Sequence, residues 1–242
     1  MFDYKDKELN YSKIRAYQSC PTLYKYKYVE GKREGLTAGG SLGVSLHRTL
    51  EMYHEEGNKD ELILDYYNDC WIAGGYKNAQ EQNEYFLKGK QILANFLALQ
   101  KKCKGTVKYI EKEFIISHQE WIIRGKIDRV DKFADDSFDV IDYKTGLEMD
   151  KTYDVKDSLQ LAIYTLGARK AWNMKKGKSS LWLLAFSEII STDFKDFDDN
   201  KTLETITSVG KKILAEEFYP NTEHCEHCGF KNRCPYSTSS SG

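Results

Sequence analysis

A carboxylate and a lysine end a short apolar segment of the sequence. Residues 138 to 144 read FDVIDYK, and Gly146 follows soon after. Alternate side chains of a strand lie on one face, so Asp142 and Lys144 should point together and Tyr143 should point away. The pair is either an ordinary ion pair at a strand end, which contributes little to stability, or half of a catalytic site.

A second carboxylate is expected beside this pair. The segment EWIIRGKIDRVDKF, residues 120 to 133, is rich in β-branched and aromatic residues and predicts a neighbouring strand that carries Asp128. Carboxylates at adjacent strand ends can bind Mg²⁺ or Mn²⁺, which would polarise a phosphate and lower the pKa of a bound water. Lys144 would then stabilise the charge that develops on the phosphate. Glu113, on the preceding strand, is a further candidate catalytic acid.

The elements that must position these residues follow from the spacing of apolar side chains. Helical spacing predicts helices in the first part of the chain, at 41–56, 59–75 and 80–103. Segments rich in β-branched and aromatic residues predict antiparallel strands at 106–117, 120–133 and 136–146. The pattern then predicts a helix, a buried strand and a last helix, at 155–172, 179–186 and 202–218. We therefore expect one α/β core with a helical N-terminal part.

Composition limits the classes of partner. The 242 residues carry a net charge of −1, so a nucleic-acid binder would have to concentrate positive charge locally. The first 35 residues do so modestly, with eight Lys and Arg against five Asp and Glu. The N-terminus has no secretory signal, and no apolar stretch approaches the roughly 20 residues of a membrane span. We expect a cytoplasmic protein without a membrane partner, in which cysteines are free thiols or metal ligands.

Four motifs in a fixed order resemble those of RecB-like nucleases of the PD-(D/E)XK superfamily. They are SLHRTLE, GKIDRVD, IDYKTG and QLAIY, within a match of residues 10 to 236. The resemblance implies a restriction-endonuclease-like fold, in which helices flank a mixed central sheet. It also implies a metal-dependent deoxyribonuclease.

The same resemblance implies roles for single residues. His47, Asp128 and Asp142 would be metal ligands, with the carbonyl of Tyr143 available to the ion, and Lys144 would be the catalytic lysine. Two further residues match the family's Q-x-x-x-Y motif, and they would support the active site and contact DNA: Gln160 and Tyr164. These two lie four positions apart, so they share a face of a helix.

Three cysteines lie close together near the C-terminus, with the spacing Cys-x₂-Cys-x₅-Cys, at Cys225, Cys228 and Cys234. Cys-x₂-Cys indicates a metal site, because two thiolates on one tight turn can reach a common ion. Two sources of a fourth ligand are open. His224 or His227 would complete a local Cys₃His zinc knuckle, whereas Cys20 would complete a four-cysteine iron–sulfur site.

One N-terminal and three C-terminal cysteines resemble the iron–sulfur-bearing branch of the RecB-like nucleases. That branch includes nuclease domains of AddB-type recombination proteins and CRISPR-associated RecB-like exonucleases. The resemblance implies a [4Fe–4S] cluster that links residues 1–40 to residues 219–236 within a single nuclease domain over 1–236. The remaining residues, 237–242, read STSSSG and predict a disordered tail.

Tyrosines alternate with cations between residues 11 and 28, where aromatic rings could stack on unpaired bases or pack onto the core. Arg15 and Lys25 are candidate phosphate contacts. The chain has no phosphate-binding motif of a helicase motor. We expect a single-stranded DNA exonuclease in recombination, repair or CRISPR adaptation, with other proteins of those pathways as partners. The alternative is a non-catalytic DNA-binding or adaptor subunit of such a complex.

The two possibilities for the cysteines predict different spectra. A [4Fe–4S] protein purified without oxygen should be brown, whereas a zinc protein absorbs no visible light. Cys20→Ala should abolish the colour if Cys20 is a cluster ligand. A local Cys₃His knuckle should keep its metal in this variant, so metal analysis of the two purified proteins distinguishes the results.

Overall fold

A computed structural model describes residues 7–147 and 154–238. The chain divides into two compact units. Unit 1 comprises the described residues of the ranges Met1–Gly35, Ile115–Gly125 and Asp198–Gly242, and unit 2 comprises those of Leu36–Phe114 and Lys126–Phe197. Each unit therefore consists of segments that are distant in sequence. The prediction of a single domain over 1–236 stays a prediction.

Unit 2 contains four helices: α3 (Ala38–Glu55), α4 (Ile63–Cys70), α5 (Ala79–Gln100) and α6 (Leu159–Trp172). Three of them begin at a residue whose side chain accepts a hydrogen bond from the first helical turn, namely Thr37, Asn78 and Ser158. Asn173 ends α6 in the left-handed conformation, with φ of 55°, which Asn tolerates better than most residues. Short polar residues thus determine where these helices start and stop.

The strands form a mixed sheet, as predicted. They are β1 (Glu8–Leu9), β2 (Thr106–His118), β3 (Trp121–Lys132), β4 (Phe138–Lys144), β5 (Gly177–Leu183) and β6 (Glu188–Asp193). In unit 2, β4 pairs antiparallel with β3 and parallel with β5, and β5 pairs antiparallel with β6. In unit 1, β1 pairs parallel with the first part of β3.

The region from β5 to β6 differs from the sequence prediction. The buried strand predicted over 179–186 ends at Leu183, and a short 3₁₀ turn follows over Leu184–Phe186. Ser187 then adopts a left-handed conformation, with φ of 55°, and β6 returns antiparallel to β5. The sequence analysis predicted no strand at β6, because its residues are mostly exposed and its pattern is weakly apolar.

Aromatic and aliphatic side chains fill the core of unit 2. Residues of α3, α4 and α5 pack against the buried faces of β4 and β5 in one cluster. Phe96 lies at its centre, with edge-to-face contacts to Tyr53, His54 and Tyr143. A smaller cluster joins α6 to β5 through Leu161 and neighbouring apolar residues. These clusters hold the helices that carry His47 and Gln160.

Unit 1 contains α1 (Tyr11–Ser19), α2 (Pro21–Tyr24), a π-helical turn (Lys25–Val29) and α7 (Asp199–Leu214). The Tyr17 hydroxyl donates to the carbonyl of Glu217 at 2.8 Å, and the Asn221 side chain donates to the carbonyl of Ser19 at 2.9 Å. Hydrogen bonds therefore join the N-terminal helices to the segment after α7. Among the described residues, no helix has the length and apolar character that crossing a membrane requires.

The close approach of α6 and β2 predicts an effect on stability. A methyl group at Gly167 would lie 2.6 Å from ring carbons of Phe114. Gly167→Ala should therefore lower the free energy of unfolding by about 1–3 kcal/mol in chemical denaturation. Helix propensity alone predicts the opposite sign, by about 1 kcal/mol. Gly39→Ala is the control, because nothing lies within 4 Å of the added methyl, and a gain in stability for Gly167→Ala would contradict the prediction.

Candidate active site

The register of β3 and β4 brings two acidic residues together. Arg129 pairs with Ile141 across the antiparallel strands, which places Asp128 beside Asp142 on one face. Both carboxylates are buried. The backbone N–H of Tyr143 donates a hydrogen bond of 2.8 Å to Asp128 Oδ2. Asp128 is thereby oriented by the strand that carries Asp142.

Lys144 and Gln160 surround the second carboxylate. Lys144 Nζ lies 2.6 Å from Asp142 Oδ2. The Gln160 amide joins both groups, since its Nε2 donates to Asp142 Oδ1 and its Oε1 accepts from Lys144, each at 2.7 Å. The same Nε2 lies 3.1 Å from the hydroxyl of Tyr164, one turn along α6. The structure therefore brings together four of the residues that the sequence analysis selected.

His47 and Glu111 complete the acidic group. Ligand atoms of His47, Glu111 and Asp128 all lie within 4.8 Å of one another. His47 Nδ1 is 3.6 Å from Asp128 Oδ2. Asp128 thus belongs both to this group and to the pair with Asp142.

The glutamate of this group is Glu111, whereas the sequence analysis selected Glu113. Glu111 has a φ of 46°, an irregularity in the middle of β2. In the part of β2 before Glu111, the odd-numbered side chains are less exposed than the even-numbered ones. After Glu111, Phe114 and the other even-numbered side chains are the less exposed ones. Glu113 is exposed as a result. Strict alternation places both glutamates on one face, so nothing in the sequence indicates this change of phase.

Lys126 contacts the carboxylate that the sequence analysis missed. Its Nζ lies 2.7 Å from Glu111 Oε2 and 3.7 Å from Glu51 Oε1. These contacts raise the pKa of Lys126, so it carries a positive charge at neutral pH. Two lysines thus form ion pairs with acids of the site: Lys126 with Glu111, and Lys144 with Asp142.

Burial and mutual repulsion dominate the electrostatics of the site. Burial, and then the charge of Asp142, hold the pKa of the Asp128 carboxyl well above its usual range. Burial also lowers the pKa of His47, so its ring is neutral at neutral pH and able to coordinate a metal. Burial and Asp142 raise the pKa of Tyr164.

The donor set fits a hard divalent cation. Asp142 Oδ2 is buried and accepts no hydrogen bond of good geometry among the described residues, although the Lys144 ammonium is near. Carboxylate oxygens with one imidazole suit Mg²⁺ or Mn²⁺. Such an ion would offset the repulsion that raises the pKa of Asp128. The Tyr143 carbonyl stays a predicted ligand.

The four predicted cluster ligands line one small cavity in unit 1: Cys20, Cys225, Cys228 and Cys234. The backbone N–H of Asn221 donates to Cys20 Sγ at 3.3 Å, and the Tyr26 hydroxyl donates to Cys234 Sγ at 3.9 Å. Residues two hundred positions apart in the sequence are therefore neighbours here.

The spacing of the sulfurs bears on the kind of metal site. In the part of the chain that the structure describes, no three cysteine sulfurs lie within 4.8 Å of one another. A tetrahedral zinc ion would hold them roughly 3.8 Å apart, given its Zn–S distance of about 2.3 Å. A four-iron cluster keeps its cysteines farther apart, because several metal atoms lie between them. The His227 side chain falls outside the described part.

The two candidate phosphate contacts lie in unit 1, where Arg15 is exposed and Lys25 is half-buried. Arg15 donates to the hydroxyl of Tyr11 at 2.8 Å, and Lys25 Nζ lies 3.7 Å from Glu30 Oε1. Two of the interleaved tyrosines, Tyr17 and Tyr24, are buried, so they pack onto their unit. DNA contact by Arg15 and Lys25 stays a prediction.

Comparison with protein families identifies the fold. The model of the PD-(D/E)XK nuclease superfamily matches residues 8–235. The chain belongs to this superfamily. Nucleases of the superfamily use divalent metal ions, in agreement with the acidic group around Asp128.

Two solved structures resemble the chain. One is described as a "putative exonuclease" from Eubacterium rectale, with 13% identity, a TM-score of 0.51, and coverage of 99% of this chain and 94% of that one. The other is SSO0001, with 17% identity, a TM-score of 0.41, and coverage of 82% and 86%. No curated protein matches the chain in sequence. The first structure supports the nuclease fold.

The raised pKa of Asp128 predicts its effect on stability. Once the pH exceeds the pKa of an unfolded aspartate, about 4, folding of the metal-free chain must protonate Asp128, and this lowers the stability of the fold. The cost grows until the pH reaches the higher pKa of the folded state. Asp128→Asn removes the ionisable group, so in EDTA at pH 7 this variant should melt at a higher temperature than the wild type. The difference should disappear below about pH 4.

The exposed Asp135 provides a control of opposite sign. Its pKa is lowered by hydrogen bonds from Lys176 and Ser137. Asp135→Asn should therefore leave the melting temperature at pH 7 unchanged or slightly lower. An Asp128→Asn variant that melts below the wild type in EDTA would show that the carboxylate is not destabilising.

Proposed function

We propose that the chain is a Mg²⁺- or Mn²⁺-dependent deoxyribonuclease that hydrolyses phosphodiester bonds at the ends of single-stranded DNA. One observation carries the proposal. Lys144 and Asp142 are held together by a single side chain, Gln160, next to the group of acids around Asp128. An ordinary surface ion pair would not require a buried carboxylate or a third residue that orients both partners.

The site residues have distinct roles in the proposed reaction. His47, Glu111, Asp128 and Asp142 would hold the divalent ion, which supplies Lewis acidity and a water of lowered pKa. The attacking water would release a proton to solvent as its oxygen bonds to phosphorus, the bond to the leaving oxygen would break, and that oxygen would take up a proton from solvent. Lys144 stabilises the negative charge on the phosphate while this occurs.

DNA binding by the other predicted residues is part of the proposal. Gln160 and Tyr164 lie beside Asp142, and from this position they would contact a bound strand. Arg15 and Lys25 would contact phosphates from unit 1. The exonuclease activity named for the Eubacterium rectale protein agrees with the preference for DNA ends that we propose.

A [4Fe–4S] cluster in unit 1 is the second part of the proposal. The common cavity of the four cysteines supports it. The hydrogen bond from Asn221 to Cys20 would stabilise a thiolate ligand. The cluster would link the N-terminal helices to the C-terminal segment. Loss of colour in Cys20→Ala tests this part.

The cellular role follows from the resemblance. We place the enzyme in the cytoplasm, in recombination, repair or CRISPR adaptation, and with proteins of those pathways as partners. The alternative function is a non-catalytic DNA-binding or adaptor subunit. The complete set of acids and the paired lysine favour the enzyme, since binding alone does not require buried carboxylates.

Loss of the lysine or of its partner carboxylate should slow cleavage strongly while the chain stays folded. Lys144→Ala and Asp142→Asn should each slow the degradation of end-labelled single-stranded DNA by about 100-fold or more with Mg²⁺ or Mn²⁺. Lys132→Ala is a matched control, because Lys132 is also a strand lysine, 43% exposed against 42% for Lys144, and pairs with the exposed Asp136.

Three results are distinguishable in this assay. Slow cleavage by the two site variants and normal cleavage by Lys132→Ala support the enzyme. Equal cleavage by all proteins would refute the assigned site. DNA binding by the wild type with no metal-dependent cleavage would favour the adaptor.

A further inference from the structure

A fully buried arginine lies on the strand that carries Asp128. Arg129 is 0% exposed, yet each of its five N–H groups has an acceptor. Its Nε and one terminal nitrogen donate to the two oxygens of Asp131, each at 2.6 Å. The remaining N–H groups face three side chains, which are Gln100, Tyr143 and Cys103. The guanidinium also stacks over Trp182, 5.1 Å from the ring centroid.

The hydrogen bonds continue from Arg129 through Tyr143 to His54. The Tyr143 hydroxyl accepts from Arg129 at 3.4 Å and lies 3.0 Å from His54 Nε2, to which it can donate. His54 Nδ1 lies 2.7 Å from the side-chain oxygen of Asn58, which accepts its proton. Burial, and then the charge of Arg129, lower the pKa of His54 to about 4, so the ring is neutral at pH 7. Every donor in this series therefore has an acceptor.

Tyr143 connects the series to the site. Its side chain is in the core, while its backbone N–H donates to Asp128 Oδ2 at 2.8 Å. Asp142 and Lys144 are its neighbours on either side in β4. A movement of the Tyr143 side chain would therefore shift the backbone that orients two carboxylates and the lysine.

Stability alone does not account for this arrangement. Burial of a guanidinium and a carboxylate costs free energy that their attraction offsets only with good geometry, and apolar residues in such places are often equally stable. A satisfied polar network does, however, select one arrangement of the strands. The site needs such selection, because metal affinity depends on the placement of the ligands.

We propose that Arg129, Tyr143 and His54 are positioning residues for the metal centre, which hold the β4 backbone so that Asp128 and Asp142 meet one ion. This inference rests on the proposed metal-dependent function. It assigns a role to buried side chains that touch neither the ion nor DNA.

Direct measurement of metal binding tests the inference. Mn²⁺ is titrated into the purified 242-residue chain, and its affinity is measured by calorimetry without DNA. Tyr143→Phe removes the hydroxyl from the series and should weaken Mn²⁺ binding about 10-fold. Tyr53→Phe is the matched control. It also removes a buried tyrosine hydroxyl, which donates to Asp60 at 2.7 Å, and it should leave the affinity unchanged.

A second pair of variants separates positioning from folding. Gln can place an oxygen near the position of His54 Nε2, whereas Leu offers no acceptor to Tyr143. His54→Leu should weaken Mn²⁺ binding about 10-fold, and His54→Gln should restore most of the affinity. Near-ultraviolet circular dichroism verifies that each variant is folded at the temperature of the titration.

The possible results have separate meanings. Unchanged affinity in folded Tyr143→Phe, or equal affinity in His54→Leu and His54→Gln, overturns the positioning role while the proposed nuclease stands. Equal weakening by Tyr53→Phe also overturns it, because the effect would then be one of general stability. Absence of Mn²⁺ binding by the wild type overturns the proposed function and this inference together.

Discussion

Asp128 and Asp142 are buried side by side, and this is the constraint on which the arrangement of unit 2 depends. Two like charges repel in a poorly polarisable interior, and burial already disfavours the ionised form of Asp128. Three groups act against this cost: the Tyr143 N–H, which donates to one carboxylate, and the Lys144 ammonium and the Gln160 amide, which contact the other. They orient the oxygens without neutralising the whole group. A site of this kind has a strong electrostatic preference for a cation.

The two faces of β4 have different tasks as a consequence. One face presents Asp142 and Lys144 to the residues of the site. The other places Tyr143 in the core, against Phe96 and Trp182. Because consecutive side chains of a strand point to opposite faces of the sheet, the packing of one residue in the core determines that its two neighbours point to the other face. The same seven-residue strand therefore anchors the core and forms the reaction centre.

Unit 1 joins the N-terminal helices to the C-terminal segment. Hydrogen bonds from Tyr17 and Asn221 link α1 to the segment after α7. The four cysteines line a cavity within the same unit. The ligands of the proposed cluster and those of the proposed divalent ion thus belong to different compact units. Each set is assembled from segments that are distant in sequence.

The sequence by itself determined what depends on short spacing. Strand alternation placed Asp142 and Lys144 on one face, and helical spacing did the same for Gln160 and Tyr164. The order of the motifs indicated the superfamily and its mixed sheet. Tertiary structure alone decided the choice of Glu111 over Glu113, because an irregular backbone within β2 changes the phase of alternation. It also decided the series from Arg129 through Tyr143 to His54, since hydrogen bonds between residues dozens of positions apart leave no periodic trace in a sequence.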